Sequence, residues 1–392
     1  MPTLRGWALL GAGLALGVLW YLFGDQELLL AGTFFAGAVL AALIYVQTHK
    51  PDLVIGRRLG STAVHNGDTT TVTLVLRNRS RRPLRHIVVQ DEVERLGMAS
   101  FEIARMEAEE TVSATYRVTC RPRGVYKVGP VLGSSGDPLG LTELTAPGGS
   151  IDRLVVYPTV EDLSGFPIVR GQDPAMAASR PEHNQRGGED FYTLREYQRG
   201  DDLRRVHWPY SAKTEDLMIR QLETPWQSRA LVLLDVRSGV YESSDAFERA
   251  VSGAASVVTH LVRSGFDADL WAGDAHTLDA SRYSATMERL ALVEADPDIN
   301  IGAVAMRIRQ KTGGGALVLV TGDADRDLLG VQQMLSGDYR STLLMGVSST
   351  TAQTLVGFHR MGVSTVVVKP EDEWAGAWMN AMKTSWNAES VN

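Results

Sequence analysis

Two strand ends in the C-terminal part of the chain carry polar side chains that could do chemistry. One apolar run ends in Asp235 and is followed by Arg237 and Ser238, and a later run ends at Thr321 and Asp323. Because the carboxyl ends of parallel strands meet in one crevice, these residues predict a polar binding site. A guanidinium at position 237 would neutralise Asp235 and supply the positive charge that a metal would otherwise bring. The competing explanation is that Asp235 only caps the helix after its strand.

A second polar block lies upstream, between residues 191 and 223, and is dense in charged and aromatic side chains. It could be a recognition surface for a partner protein, with Tyr197 and Trp208 as anchors. It could instead brace this segment against a neighbouring domain, and the geometric match between carboxylates and guanidinium groups favours that interpretation. The residues assigned to the block are Arg195, Glu196, Tyr197, Gly200, Asp201, Asp202, Arg204, His207, Trp208 and Ser211.

Motifs for catalysis and cofactor binding are weak in this sequence. A hydrolase could be assembled from Ser211, His207 and Asp201 or Asp202, but no G-x-S-x-G element surrounds the serine. The glycines of segment 312–318 lack the G-K-[ST] ending of a phosphate-binding loop, no cysteine–histidine cluster could hold zinc, and no dinucleotide fingerprint follows Val236. The sequence therefore predicts a binding protein without cofactor or metal, rather than an enzyme.

The first polar site needs a parallel sheet to position it, and residues 229–392 carry the pattern of one. Near-continuous apolar runs at 230–236, 267–272, 315–322, 342–347 and 364–369 are typical of strands buried on both faces. Helical segments fall between several of them, including one at about 245–263. This alternation predicts an α/β domain of Rossmann-like type with helices on both faces.

The middle of the chain has a different periodicity. Residues 49–160 contain short stretches with period-two alternation, at 69–78, 84–93, 111–120 and 153–158, separated by turn-forming residues. They predict an antiparallel β-sandwich of immunoglobulin-like type. Residues 161–228 form a connector that is too apolar in its second half for a plain linker, so we expect it to pack on a neighbouring domain.

Two long apolar runs without charge open the sequence, from Trp7 to Phe23 and from Leu28 to Val46. Each approaches the roughly 20 residues that a bilayer-crossing helix needs. The four residues between them permit only a tight turn, so residues 1–48 predict a transmembrane hairpin with both chain ends on one side. A cleaved signal peptide followed by one spanning helix is the alternative, but no small-x-small pattern follows the first run.

Charge asymmetry predicts which side that is. Arg5 precedes the first run, and Lys50, Arg57 and Arg58 follow the second, whereas the turn carries only acidic residues. Since positive residues stay in the cytoplasm, we expect everything after residue 48 to be cytoplasmic, at the inner (cytoplasmic) membrane of a cell.

Composition limits the partners. The formal net charge is -7 and apolar residues make up 44% of the chain, so sizeable cores are possible but a clustered basic face for nucleic acid is not expected. The single cysteine, Cys120, excludes an internal disulfide, and we expect it to be a small buried apolar residue.

The whole chain resembles the bacterial domain of unknown function 58 (DUF58) family. The resemblance is carried by "FYTLREYQRGDDLRRVHWPYSAK...LMIRQLE" followed at once by "ALVLLDV", and upstream by "RGVYKVGPVLGSSGDPLGL" and "LVVYP". The sequence departs from the family by having His207 where an acidic residue is usual and Lys213 where arginine is common.

The resemblance implies a C-terminal domain similar to von Willebrand factor A domains, which are interaction modules. Their metal-binding members carry D-x-S-x-S after the first strand, which supplies hard oxygen ligands for magnesium. Here only Asp235 stands at such a position, because Arg237 and Gly239 replace the serines. A divalent-metal-dependent binding domain is therefore an alternative, and an envelope-associated hydrolase a weaker one. The family's association with MoxR-type AAA+ ATPases implies a membrane-anchored scaffold that helps to assemble or activate other proteins.

Overall fold

A computed structural model of the chain describes residues 1–48, 52–164, 193–196, 211, 218–221, 229–273, 275–277, 283–311, 315–349 and 354–389. The chain divides into two compact units. The first unit contains residues 1–159 and 287–292, and the second contains residues 160–286 and 293–392.

The first unit begins with two apolar helices, α1 (Leu4–Phe23) and α2 (Gln26–Thr48). Both are long and apolar enough to cross a membrane. The side chain of Thr3 caps the start of α1, and Gly24 ends it in the left-handed conformation that allows the tight turn into α2. The helices approach closely at two glycines: a Cβ on Gly13 would lie 3.0 Å from the carbonyl oxygen of Gly32, so larger residues would push the helices apart.

Ten strands follow in the first unit, most of them in antiparallel pairs. In chain order they are β1 (Leu53–Leu59), β2 (Ala63–His65), β3 (Thr69–Asn78), β4 (Leu84–Val93), β5 (Gly97–Met106), β6 (Thr111–Thr119), β7 (Gly124–Val128), β8 (Val131–Gly136), β9 (Glu143–Gly148) and β10 (Asp152–Tyr157). One sheet has the order β1-β3-β6, and the other has the order β2-β10-β7-β4-β8-β9 with β5 paired to β4.

Side chains from both sheets build one hydrophobic core, to which Val72 and Leu74 of β3, and Ile87 and Val89 of β4, contribute. Cys120 is buried in this core, as predicted. The strands predicted from period-two alternation are confirmed, because every second side chain along β3 is buried. The predicted antiparallel pairing fails at one place, where β10 runs parallel to β2. The immunoglobulin-like sandwich stays a prediction.

The second unit is an α/β region around one sheet. Two short strands, β11 (Thr193–Glu196) and β12 (Met218–Gln221), form a separate antiparallel pair. The main sheet contains β13 (Arg229–Leu234), β14 (Asp267–Ala272), β15 (Ala275–Thr277), β16 (Ala316–Thr321), β17 (Ser341–Val347) and β18 (Ser364–Val368) in the order β15-β14-β13-β16-β17-β18. The five predicted strands are confirmed, and all are parallel. The three-residue antiparallel edge strand β15 was not predicted, because it is too short for a periodic signal.

Helices connect these strands. They are α3 (Ser244–Arg263), α4 (Tyr283–Leu292), α5 (Ile301–Lys311), α6 (Arg326–Leu335), α7 (Leu355–Arg360) and α8 (Trp374–Glu389). The predicted helix at 245–263 is confirmed as α3, which begins at the capping side chain of Ser243. The similarity to von Willebrand A domains stays a prediction.

The start of the predicted connector packs within the second unit. Glu161 accepts a hydrogen bond from Arg249 of α3 at 2.8 Å and from the backbone of Ala375 in α8 at 3.0 Å. Trp374 lies over Gly253, where a Cβ would come within 2.7 Å of the indole ring. Because Gly253 has no side chain, α3 and α8 can approach closely at this point. The remainder of the connector, apart from 193–196, 211 and 218–221, lies outside the described residues.

Candidate functional site

The polar site lies at the carboxyl edge of the main sheet, where β13 and β16 end side by side. The two strands are paired in parallel up to Leu234 and Val320. The backbone amide of Asp235 continues the ladder by donating to the Val320 carbonyl at 2.8 Å. Adjacent parallel strands therefore place Asp235 beside Thr321, as the strand pattern predicts. Both residues are buried, at 2% and 0% exposure.

Four donors saturate the carboxylate of Asp235. Its Oδ1 accepts from Nε of Arg237 at 3.0 Å and from the backbone amide of Arg237 at 3.1 Å. Its Oδ2 accepts from NH2 of Arg237 at 2.7 Å and from Oγ1 of Thr321 at 3.0 Å. An ionised carboxylate offers about four lone-pair positions, and all of them are used here. The two guanidinium contacts form a fork that holds the charge pair in one geometry.

A second carboxylate lies on the other side of the same guanidinium. Arg237 donates to Asp325 through NH1 at 2.8 Å and through NH2 at 3.1 Å. Asp325 is also the N-cap of α6, where it accepts from the amide of Leu328 at 2.9 Å. Asp327 lies farther out, 3.6 Å from NH1, with its side chain 78% exposed. Arg237 thus joins the buried end of β13 to the start of α6.

These contacts shift two pKa values. Burial would lower the pKa of Arg237, but hydrogen bonds and charge from Asp235 and Asp325 outweigh it and raise that pKa. Burial would raise the pKa of Asp325, but Arg237 and the Leu328 amide outweigh it and lower that pKa. Both shifts favour the charged forms of Arg237 and Asp325, so this pair is ionised at neutral pH.

The loop after β13 is shaped to present this arginine. A 3-10 turn at Ser238–Val240 follows it, and the hydroxyl of Tyr241 donates to the carbonyl of Asp235. The turn passes so close to β16 that a Cβ on Gly322 would lie 2.0 Å from the carbonyl oxygen of Val240. Only glycine at position 322 permits this approach, which keeps Arg237 folded over the strand ends.

The structure brings together three of the predicted site residues, Asp235, Arg237 and Thr321. The carboxylate of Asp323 instead accepts a hydrogen bond from the hydroxyl of Ser348 at the end of β17. Ser238 is exposed, and its amide donates to the carbonyl of Asp296 at 3.2 Å. Both therefore line the same edge without bonding to the carboxylate of Asp235.

The residues predicted for the site did not include Asp325. The sequence gives a usable signal for it, since an aspartate three residues before an apolar helical position is typical of an N-cap. Its pairing with Arg237, 88 positions earlier in the chain, depends on the sheet order. Tyr241 and Ser348 were missed as well, and no local pattern distinguishes them.

The polar block between residues 191 and 223 lies mostly within a segment that matches a known protein family. Residues 193–278 match the family model described as "Protein of unknown function DUF58". A Bacillus subtilis (strain 168) protein, "Uncharacterized protein YeaD", is 29% identical over 305 residues, which is 72% of this chain and 73% of that one. The chain is therefore similar to the DUF58 family, and residues 193–278 carry the match to the family model.

Likeness to solved structures is partial. The match to the CARDB domain of the PF1109 protein from Pyrococcus furiosus covers 27% of this chain and 88% of that structure, with 12% identity and a TM-score of 0.21. The match to the sporulation control protein Spo0M from Bacillus subtilis covers 26% of this chain and 49% of that structure, with 16% identity and a TM-score of 0.18. TM-scores this low do not establish a shared fold.

Little of the DUF58 motif falls on described residues. The backbones of Arg195 and Glu196 lie in β11, paired with Ile219 and Met218 of β12. Ser211 is buried, and its Oγ accepts a hydrogen bond from the backbone amide of Met218 at 2.8 Å. The other residues assigned to the motif lie outside the described residues, so the brace, the recognition surface and the hydrolase interpretation are not distinguished. They are Tyr197, Gly200, Asp201, Asp202, Arg204, His207 and Trp208.

The chemistry of the strand-end cluster does not suit a divalent cation. A cation at Asp235 would have to displace Arg237 from both carboxylate oxygens, and it would then meet Thr321 as the neighbouring hydroxyl. Among the residues that the structure describes, no group of three or more histidine, cysteine, aspartate or glutamate side chains is arranged to hold a metal ion. What the cluster can do is hold one edge of the sheet in a fixed, charged shape.

Proposed function

We propose that this DUF58 protein is a membrane-anchored interaction module of the cytoplasm, without a reaction of its own, which presents its α/β region to protein partners. The observation that carries the proposal is the bidentate Arg237–Asp235 pair. It puts a permanent internal cation at the sheet edge where a metal-dependent binding domain would keep an open carboxylate.

The sheet edge suits protein recognition for a second reason. Its charges range from buried to exposed, from Asp235 at 1% through Arg237 at 12% and Asp325 at 35% to Asp327 at 78% of the side chain. A rigid charged patch with an exposed rim steers and orients a partner more than it adds affinity. Three carboxylates around one guanidinium leave the patch net negative, so we expect the partner's surface to be basic.

The membrane part of the proposal rests on α1 and α2, whose length and composition suit a bilayer. The orientation rests on the sequence, in which positive charges flank the hairpin outside its acidic turn. The choice of a MoxR-type AAA+ ATPase as partner rests on the family resemblance. The hydrolase alternative gains no support from Ser211, whose hydroxyl is hydrogen-bonded to a backbone amide in a buried position.

Site-specific photo-crosslinking in native membranes tests the proposal. A crosslinking amino acid at Asp327 lies on the exposed rim of the patch, and one at Arg360 lies on an exposed position at the end of α7, near the opposite edge of the sheet. We expect position 327, but not position 360, to capture an AAA+ ATPase. Recovery of no ATPase from either position contradicts the partner assignment, and equal capture from both contradicts the assignment of the surface.

A further inference from the structure

The N-terminus of the chain is fixed to a loop of the first unit. This loop, residues 137–142 between β8 and β9, is named the DPLG loop. The amide of Thr3 donates to the carbonyl of Leu141 at 2.9 Å, and the hydroxyl of Thr3 donates to the carbonyl of Gly140 at 2.7 Å. The amide of Glu143 donates to the carbonyl of Met1 at 2.9 Å. The DPLG loop therefore lies directly against the start of α1.

One residue of this loop packs against the apolar part of α1 and α2. Leu141 is buried in a cluster with Val39 and Ala42 of α2, against which Leu9 and Leu10 of α1 also pack. All four helix residues lie inside the apolar runs, a turn or more from the hairpin's open end. A loop of a β domain is thus held at the depth where a bilayer's hydrocarbon begins.

The DPLG loop is rigid enough to hold that position. The carboxylate of Asp137 accepts from the amide of Leu139 at 2.8 Å, from the amide of Thr142 at 2.5 Å and from the hydroxyl of Thr142 at 3.0 Å. Asp137 itself is 5% exposed. Leu139, at the tip, is 67% exposed and lies only two residues from buried Leu141.

The turn between β3 and β4 and the first two residues of β4, together residues 79–85, lie at the same end of the first unit and are named the arginine turn. The amide of Arg79 donates to the carbonyl of Asp52 at 2.8 Å, only four residues after α2 ends at Thr48. Four residues span at most about 14 Å, so the turn lies near the hairpin's open end. The register of β4 on β8, in which Ile87 faces Ser135, brings the start of β4 level with the DPLG loop.

A buried side chain builds the arginine turn. Asn78, 0% exposed, donates from Nδ2 to the carbonyls of Arg82 at 2.9 Å and Glu107 at 2.8 Å, and it accepts from the amide of Ser80 at 3.0 Å. The turn therefore presents its arginines in a fixed shape. The exposed arginines are Arg79, Arg81, Arg82 and Arg85.

The local charge balance is positive. The neighbouring turn between β5 and β6 carries Glu107, Glu109 and Glu110, and Glu107 is paired with Arg105 at 2.7 Å. Four exposed arginines thus face two remaining glutamates and Asp52. Acidic lipids give a cytoplasmic leaflet a negative surface potential that attracts basic segments close to the membrane.

From this arrangement we propose that one end of the first unit is itself a lipid-binding surface. Leu139 enters the interfacial layer of the bilayer, and the arginine turn contacts anionic phospholipid headgroups. The inference rests on the proposed membrane anchoring by α1 and α2, and it adds a second, charge-selective contact that holds the β-sheets against the membrane.

Depth-dependent quenching on the full-length protein in vesicles tests the apolar contact. An environment-sensitive dye is attached at Leu139→Cys, and a matched control at Ile151→Cys, which is 60% exposed at the far end of β9. The wild-type chain gives the labelling background, because its cysteine is buried. We expect lipid-borne quenchers near the headgroups to quench position 139 at least threefold more than position 151.

A third label separates this inference from the membrane anchoring on which it rests. A dye at Leu14→Cys, 74% exposed in the middle of α1, must be quenched by lipid if the hairpin spans the bilayer. Quenching at position 14 with none at position 139 overturns the lipid-binding surface alone, and quenching at neither overturns the anchoring. If both lipid and aqueous quenchers fail to reach position 139, protein covers the loop, which also overturns the proposal.

Lipid charge tests the arginine turn. We expect quenching at position 139 to rise by half or more when phosphatidylglycerol replaces part of the phosphatidylcholine, and the rise to disappear at high salt. Replacing Arg79, Arg81 and Arg82 together by glutamine should abolish that rise, whereas Arg117→Gln on β6, exposed but outside the turn, should preserve it. An unchanged rise in the triple variant overturns the role of the turn.

Discussion

The two units each contain a guanidinium between two carboxylates, and the two clusters differ in how completely the protein encloses the guanidinium, whose side chain is 1% exposed at Arg57 and 12% exposed at Arg237. In the first unit Arg57 is 1% exposed and grips Asp91, which is 0% exposed, through contacts of 2.9 and 2.5 Å. It also donates to Asp152 at 2.9 Å and to two backbone carbonyls. In the second unit Arg237 makes the same fork with Asp235 but opens outward through Asp325 to exposed Asp327.

The difference shows how one chemical pattern can serve two purposes. A sealed ion pair contributes chiefly by preventing an uncompensated buried charge, and so it fixes the register of the sheets around it. An ion pair with an exposed side keeps the same fixed geometry and remains accessible to a partner protein. We therefore assign Arg57 to the fold and Arg237 to recognition.

The largest effect is expected from Arg57→Met. The substitution leaves the carboxylate of Asp91 buried without its cation, and we expect the free energy of unfolding of the first unit to fall by about 3–5 kcal/mol. Denaturant unfolding in detergent, followed through the β-sheet signal in far-UV circular dichroism, measures this loss of stability. A loss below about 1 kcal/mol would remove the distinction between a sealed and an open cluster.

A smaller effect is expected from Arg237→Met. Asp235 keeps two donors, Thr321 and a backbone amide, and water can reach the site, so we expect the second unit to lose about 2 kcal/mol. Crosslinking from position 327 should fall at least fivefold in the same variant while the fold persists. Retained crosslinking would show that the partner does not recognise this cluster.

A matched pair of substitutions removes one hydroxyl donor from each buried carboxylate. Tyr116 donates to Asp91 at 2.7 Å, and Thr321 donates to Asp235 at 3.0 Å. We expect Tyr116→Phe and Thr321→Val each to cost about 1–2 kcal/mol, because both partners are charged acceptors. Burial and the bond to Asp91 raise the pKa of Tyr116, so its hydroxyl stays a donor across the accessible pH range. Thermal unfolding of the two variants compares the sites directly.

The smallest effect concerns acid stability. Because the pKa of Asp325 is lower in the folded protein than its unfolded value of about 3.9, its pairing stabilises the fold above that pH and is lost as the pH falls through the folded pKa. We expect Asp325→Asn to flatten the decline in stability below about pH 4. Asp327→Asn, which leaves both close pairs of Arg237 intact, should retain the wild-type slope.

Much of the fold follows from periodicity. Alternation in 69–78 and 84–93 and the continuous apolar runs after 229 gave the positions of the strands, because burial on one or two faces leaves a direct mark on the sequence. The parallel pairing of β10 with β2 leaves no such mark, since it depends on which strands become neighbours in the folded sheet.

The site was predictable only where its partners are close in sequence. Arg237 lies two positions from Asp235, so their pairing could be expected from adjacency alone. Asp325 joins them only because β13 and β16 are neighbours, and Asp323 bonds to Ser348 for the same reason of strand order. For Arg57, closeness in sequence was misleading. Its position after α2 suggested a charge at the membrane surface, yet the fold buries it with Asp91 and Asp152.

Calorimetric titration of magnesium and manganese into the wild-type protein and into Arg237→Ser tests the central claim, that Arg237 takes the place of a cation at Asp235. The variant restores a hydroxyl and frees the carboxylate. We expect no binding heat from the wild type at millimolar metal and measurable binding heat from the variant. Stoichiometric binding by the wild type that is as tight as, or tighter than, binding by the variant would contradict the claim.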